Sequence, residues 1–295
     1  MPRSVSKGRR ALATPLDIEE SGAAGAERAA GWAGPRERLL RVAKPLSAVV
    51  VVLLFWQYGL ASGRVGIPGI PVRYLGSPSG IWGAFLLLWR NGYNGESLLY
   101  NVGVSVARVL IGFAIGSVVA VPLGLVMGYK RWVGETLGPI FGFLRPIPAL
   151  AFVPVVVIWF GVSEVGIIFV IAITAFLYGV IGSASAIETL PLDYLRAADN
   201  FKVPGRVKLA LVVLPGALPS ILVSLRTSMA LSWVVLVAAE LISAQNGLGY
   251  IIENASTFFE INTVYVGIIF IGAIGVLMDI GFRWAVKRGV QWEHE

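Results

Sequence analysis

Cysteine is absent from the 295 residues, histidine occurs once, as His294, and charged residues make up only 14% of the chain. Each shortage excludes something. Without cysteine there are no disulfides, thiolate metal ligands or cysteine nucleophiles, and nothing marks the redox compartment. One histidine beside the C-terminus excludes His-clustered zinc sites and serine–histidine catalysis within the hydrophobic part of the chain. Soluble domains carry about 25% charged residues. Here the scarcity of charge stands beside 56% hydrophobic residues and a mean hydropathy of +0.77. That leaves too little polar surface to cover a water-soluble fold. Lipid is the solvent for most of this chain, which excludes a cytosolic enzyme, a secreted domain and a disordered regulator together.

The charges that are present number 24 basic and 17 acidic residues, a formal +7. Such an excess suits nucleic-acid binding, or it orients a membrane protein, and position decides between the two. A spanning helix needs about 20 mostly apolar residues. Six stretches qualify: 45–62; 109–129, extended backward through Asn101; 136–160, interrupted by Arg145-Pro146-Ile147-Pro148; 165–187; 208–242, which contains Arg226 and Glu240; and 262–283. Residues 81–89 follow Gly76-Ser77-Pro78-Ser79-Gly80, are too short to span, and are expected as an interfacial helix. With the N-terminus inside, the inner segments hold Arg36, Arg38, Arg41 and Lys44, then Lys130 and Arg131, then Arg196, Lys202, Arg206 and Lys208, and finally Arg283, Lys287 and Arg288. The first outer loop has Arg64, Arg73 and Arg90, and the other two have no Lys or Arg but carry Glu164, Glu253 and Glu260. Six crossings with both termini cytoplasmic satisfy the positive-inside rule. The fold expected is therefore all-α and polytopic, and the positive charge is topological, with no nucleic-acid partner.

Residues 1–35 are rich in Ala, Gly, Arg and Glu, lack an apolar period and lack the apolar core of a signal peptide. They are expected as a disordered cytoplasmic tail. Residues 36–44 place Arg38, Arg41 and Lys44 on one helical stripe opposite Leu39, Leu40 and Ala43. That pattern suits an interfacial helix on anionic lipid and equally the ordinary flank of a spanning helix. A six-helix transmembrane domain then covers 45–288, and 289–295 is expected as a cytoplasmic C-terminal tail.

The inner loop between the fourth and fifth crossings, residues 188–205, stands apart from the other inner loops. Pro191 suits a first helical turn, Asp193 puts a carboxylate near the positive end of the dipole, and Pro204 forbids continuation. A helix of about ten residues, near 191–202, is predicted, its exposed face carrying Tyr194 and the small pair Ala197-Ala198. A short, stiff, partly apolar helix projecting from the inner face suits a protein groove, and it suits a plain interfacial connector as well.

In this loop the chain resembles the permease subunits of binding-protein-dependent ABC importers. Their signature reads E-A-A, three residues, G, nine residues, I-x-L-P. Ala197 and Ala198 match the alanines, Val212 stands at the isoleucine, and Leu214-Pro215 matches the closing L-P. Arg196 replaces the Glu and Lys202 the Gly, which argues against a left-handed turn directly after the helix; Pro204-Gly205 supplies the redirection two residues later. The likeness extends to Ser105 through Phe113, Pro122-Leu123-Gly124, Leu144 through Leu150, Trp159-Phe160-Gly161, Leu214 through Pro219, Leu225-Arg226, Ala238-Ala239-Glu240 and Gly247-Leu248-Gly249-Tyr250. These segments look like the subgroup that imports taurine and alkanesulfonates, nitrate, bicarbonate and some aromatic or heterocyclic nutrients.

The resemblance implies a type I importer permease fold and a homodimer in the bacterial inner membrane. It also implies two separate ABC ATPase subunits beneath that dimer and a periplasmic or lipid-anchored substrate-binding protein. The chain has no G-x-x-x-x-G-K-[ST] loop, so ATP and Mg belong to the ATPase subunits and this chain binds no cofactor or metal and is not an enzyme. By the same resemblance the loop helix is the coupling helix, with Asp193, Tyr194, Arg196, Ala197, Ala198, Asp199, Lys202, Leu214 and Pro215 as ATPase-coupling residues. Taurine or another alkanesulfonate is the favoured cargo, from the stretch 238–250, with nitrate or bicarbonate as the alternative.

Charged groups inside spans are functional candidates by default. Arg108 shares a face with Asn101 and Ser105, and Gly112 and Gly116 continue that stripe. On the fifth span Ser224, Ser228 and Ser232 form a hydroxyl stripe beside Arg226 and Thr227. Guanidinium and hydroxyl groups can replace the water of a small oxyanion, so Arg108, Ser224, Arg226, Thr227, Ser228, Ser232 and Glu240 are candidates for a translocation path. The competing expectations are structural: Arg108 pairing with Glu240, Arg226 extending to the inner surface, Glu240 in a helix–helix hydrogen bond, and Arg145 partnering carbonyls freed by the prolines. An ion-coupled secondary transporter would want several acids at matched depth. The spans offer only Glu240 and, near the inner end of the sixth, Asp279 with Arg283 four residues on.

Overall fold

The computed structural model describes residue 44 and residues 47–289, and among the described residues there is no strand, only helices and their connections. The expected tail 1–35, the end of the C-terminal tail and all but Lys44 of the interfacial helix lie outside the described residues. Two compact units are present, the first ending at Gly66 and the second running from Ile67. In the first, α1 spans Ser47–Leu60, its last turn from Trp56 widened to a π turn. At about 21 Å it is shorter than the ~30 Å hydrocarbon layer it was expected to cross.

The second unit holds the rest: α2 (Pro78–Asn91), α3 (Leu98–Tyr129), α4 (Arg131–Leu144), α5 (Ala149–Phe160), α6 (Glu164–Glu188), α7 (Leu192–Asn200), α8 (Gly205–Ser243), α9 (Leu248–Thr257) and α10 (Ile261–Gly289). Four of these, α3, α6, α8 and α10, are long and apolar enough to cross a membrane. The third expected span is instead two helices, α4 and α5, bent by 82° at the Pro-interrupted segment. Local chemistry sets the ends. Ser77, Ser97 and Ser163 cap α2, α3 and α6 by accepting the N–H of Gly80, Tyr100 and Gly166.

The core is α3 packed on α6. Gly112, Gly116, Gly124 and Gly128 face Ile171, Ala175, Ser183 and Ile187 in turn, so closely that a methyl group at any of the four glycines would come within 3 Å of α6. The near-constant offset means that the two helices run parallel. The segment between them must therefore return from the Tyr129 end to the Glu164 end, so the bent pair runs the length of the unit once. Helix α8 is antiparallel to α6, with Ser224 against Gly182 and Ser228 against Ala175. Helix α10 is antiparallel to α8, with the Trp233 indole donating to Ile271 O at 3.3 Å. Five traverses result. The loop bearing α7, the 129–131 turn and the end of α10 share one end of the unit, which carries Lys130, Arg131, Arg196, Lys202, Arg206, Lys208, Lys287 and Arg288. Glu164, Glu253 and Glu260 lie at the other.

Candidate functional site

At the acidic end, α3 presents Asn101, Ser105 and Arg108 on one buried stripe. All five guanidinium N–H groups of Arg108 are used within the chain. Nε donates to Glu164 Oε2 at 2.6 Å, Nη1 to Glu240 Oε1 at 2.6 Å and to Asn246 O at 2.9 Å, and Nη2 to Glu164 Oε1 and Asn246 Oδ1. Glu240 in turn accepts from the Ser105 hydroxyl at 2.8 Å and from the Gly249 N–H at 2.9 Å. Asn101 Oδ1 accepts from Gly247 N at 2.7 Å, and Ser105 Oγ from Leu248 N at 2.9 Å. Gly247 has φ of +106°, and a Cβ there would lie 2.4 Å from Glu240 Oε1 and 2.8 Å from Arg108 Nη1, so only glycine fits. Sequence reasoning found Arg108 and Glu240 but missed Glu164, Asn246 and α9 itself. An acid opening a long uncharged span is the signal that pointed to Glu164.

In this clamp the guanidinium has no N–H left over, and the Glu240 carboxylate is fully buried against it. The hydroxyls of α8 differ in their surroundings. Ser224 abuts Gly182, Ser228 donates to Ala175 O at 3.2 Å, Ser232 is buried without a partner among the described residues, and Thr227 bonds its own helix at Val223 O. Arg226 pairs bidentately with Asp279 on α10, at 2.6 and 2.9 Å, and Asp279 also meets Arg283 at 3.2 Å. Arg145, expected to partner freed carbonyls, makes no side-chain hydrogen bond or ion pair among the described residues.

Outside the spans at the acidic end, the turn between α2 and α3 is fastened to α9. Tyr93 donates to Asn254 Oδ1 at 2.9 Å and Asn94 donates to the Tyr250 hydroxyl at 2.9 Å. Burial first, then the Glu260 carboxylate and Tyr250, push the Tyr93 phenol up to about 12.

At the basic end, α7 occupies the predicted segment and its Asp193 lies in the first turn. The helix docks through Ala198, 6% exposed, and through Leu195, which packs on the cluster of Ile187, Leu190, Val213 and Ile221. Lys208 clamps it further by donating to Asp199 at 2.7 Å. The outward face carries Tyr194 and Phe201, 59% and 83% exposed, with Asp193, Arg196 and Ala197. Ala198 was expected on that face and is not: it is turned toward the body, and Phe201 takes its place. The left-handed turn is present as well, on Lys202 with φ of +54°, where Lys202 N–H donates to Asp199 O and Val203 N–H to Ala198 O. These two bonds form a Schellman cap on a lysine, so Pro204-Gly205 is not the first redirection. Leu214-Pro215 follows a π turn at Leu209–Val213 that joins the loop to the long part of α8.

A short docked helix with outward aromatics, below parallel and antiparallel spans, is matched by a known sequence pattern. The pattern of the family described as "Binding-protein-dependent transport system inner membrane component" fits residues 120–289. This chain belongs to that family. The permease is 33% identical over 204 residues to the Escherichia coli taurine transport system permease protein TauC, covering 69% of this chain and 74% of the relative. It is 32% identical over 250 residues to the Synechococcus elongatus bicarbonate transport system permease protein CmpB, covering 84% and 90%. Among solved structures, the MetNI methionine ABC transporter shares the fold, with a TM-score of 0.57 at 17% identity, covering 66% of the permease and 94% of the matched chain. Permeases of this family are the membrane subunits of ABC importers and are not themselves ATPases.

Proposed function

We propose that this permease forms one half of a homodimeric channel that imports taurine or a related alkanesulfonate across the bacterial inner membrane. Its cargo is delivered by a periplasmic or lipid-anchored binding protein. Six crossings, the first at residues 45–62, leave both termini cytoplasmic by the distribution of Lys and Arg. The two ATPase subunits hold ATP and Mg, and α7 transmits closure of their nucleotide dimer to α6 and α8. The observation that carries this reading is α7 itself: Ala198 and Leu195 fix it to the body while Tyr194 and Phe201 are offered outward, as a groove-filling helix requires. Kinship with a taurine permease supports the sulfonate reading, and kinship with a bicarbonate permease over more of the chain supports the second cargo.

The test is reconstitution of the complex with its ATPase and binding-protein partners, followed by ATPase stimulation and uptake with taurine, ethanesulfonate, nitrate and bicarbonate. Stimulation by taurine or ethanesulfonate is expected. Stimulation by bicarbonate alone would replace the cargo, and no ATP-dependent uptake of any solute would refute the importer function.

A further inference from the structure

Arg108 meets two carboxylates, Glu164 and Glu240, whereas one carboxylate, Asp279, meets two guanidinium groups. Arg226 donates to Asp279 through Nε at 2.6 Å and Nη2 at 2.9 Å, and Arg283 Nη2 lies 3.2 Å from Asp279 Oδ2. Arg226 Nη1 has no acceptor among the described residues, and Arg283 has no ion-pair partner there besides Asp279. Two positive groups and one negative leave the cluster a net charge of +1, and all three side chains are partly exposed. They lie within α8 and α10, both long and apolar enough to cross a membrane. An excess cation at that depth is costly unless an anion reaches it.

A cavity of about 250 Å³ runs from this cluster between α8 and α10. Arg226 and Asp279 stand at one end. From there the wall continues along α8 through Met229, Ala230 and Trp233 to Val234, about 12 Å from Arg226, and along α10 through Met278 to Gly275. No charged side chain lines that stretch. The Trp233 indole, bonded to Ile271 O at 3.3 Å, stands at the far end, and Gly275 leaves it room, since a Cβ there would lie 3.0 Å from Trp233 Nε1. Asp279 is about 15 Å from the basic end of α10 and about 27 Å from its start. Arg283 and Lys287 continue the stripe of Asp279 toward that basic end at four-residue spacing. The cavity is therefore cationic on the side of the basic end and apolar toward the middle of the spans.

We infer that this cavity is a binding site for an anionic phospholipid, its phosphate held by Arg226 and Arg283 and one acyl chain lying between α8 and α10. Guanidinium groups take phosphate oxygens through paired, charge-assisted N–H bonds, and basic pockets between spanning helices suit anionic headgroups. The single negative charge of phosphatidylglycerol cancels the net +1 of the cluster, whereas the headgroup of phosphatidylcholine brings a cation back to it. A free phosphate would leave the apolar wall uncovered. A second copy of the chain would cover the wall but leave the excess charge unless it also supplied an acid. The site is independent of the cargo proposed above.

The test uses the permease–ATPase complex, delipidated in detergent and titrated with dioleoylphosphatidylglycerol, dioleoylphosphatidylcholine or glycerophosphate, with bound molecules counted by native mass spectrometry. Phosphatidylglycerol should fill a saturable site on each permease about tenfold or more tightly than phosphatidylcholine. Arg283→Gln, which leaves the Arg226–Asp279 pair neutral, should abolish that preference with the complex intact, whereas Arg131→Gln at the same end should retain it. Ala230→Phe, which fills the apolar part of the cavity, should weaken both lipids about tenfold. Equal affinity for the two lipids in the unmodified complex would overturn the assignment, as would a phosphatidylglycerol preference that survives Arg283→Gln or binding that ignores Ala230→Phe. Glycerophosphate bound as tightly as phosphatidylglycerol would make this a free-phosphate site, and dissociation of the permeases by Ala230→Phe would make it an interface with a second copy; either overturns the lipid assignment. Binding is read without cargo, so a complex that holds phosphatidylglycerol but takes up no solute counts against the importer function alone.

Discussion

At the acidic end every N–H of Arg108 finds an acceptor within the chain, while at the basic end Tyr194 and Phe201 point outward. The first region is closed on itself: α3, α6, α8 and the start of α9 are tied through one guanidinium, and that end holds its shape before any partner arrives. The second is built around surfaces that the subunit alone leaves uncovered. Changes at the clamp should therefore register as lost stability, and changes at the basic end as lost coupling or recognition.

The largest effect is expected at Arg108. Arg108→Met leaves Glu240 buried without its cation and should cost about 3–5 kcal/mol, read as a steep fall in Tm and in complex assembly. A wild-type Tm would break the comparison at once. Next comes α7. Phe201→Asp and Ala197→Asp should reduce uptake roughly tenfold or more while shifting stability by no more than about 0.5 kcal/mol. Ala198→Asp, by contrast, should destabilise the subunit because the new carboxylate is buried without a partner. Equal Tm values for Ala197→Asp and Ala198→Asp would show that the helix is not docked as described.

Smaller shifts sharpen the contrast. Lys202→Gly should raise stability by about 1 kcal/mol, the penalty of a left-handed L-residue, in a chemical or thermal melt. A drop would mean that the lysine side chain holds the turn. Tyr93→Phe should remove about 1 kcal/mol through the lost Asn254 bond. The phenol also has a pH signature. Its unfolded value is about 10 and its folded value about 12, so the native state holds this proton more tightly. That contribution is fully present below pH ~10 and is lost as pH rises through the folded value. Melts of Tyr93→Phe should lack this alkaline decline.

Much of this architecture was readable from the chain, because long apolar runs with few interruptions admit little besides spanning helices. The spans expected at 109–129 and 165–187 are α3 and α6, and the loop helix is α7 to within a residue or two. Arg145-Pro146-Ile147-Pro148 announced a break, but its 82° angle depends on packing that no local pattern encodes. Helix α9 was missed because ten residues that follow Gly247 and include Asn254 read as an outer loop. The partners of Arg108 were half missed for another reason: Glu164 and Asn246 are distant in sequence, and only the parallel register of α3 and α6 brings the former within reach. Ala198 shows the same limit at small scale, since the phase of a short helix against the body is set by Leu195 and Lys208 rather than by its own composition.

The bend between α4 and α5 has a consequence for biogenesis. Each arm is about 21 Å or less, too short to cross hydrocarbon alone, and the carbonyls at the elbow are tolerable at membrane depth only when protein covers them. Residues 131–160 therefore cannot settle as an independent inserted helix as they leave the ribosome. They must wait beside α3 until α6 has been made, so the bent pair is seated after α6.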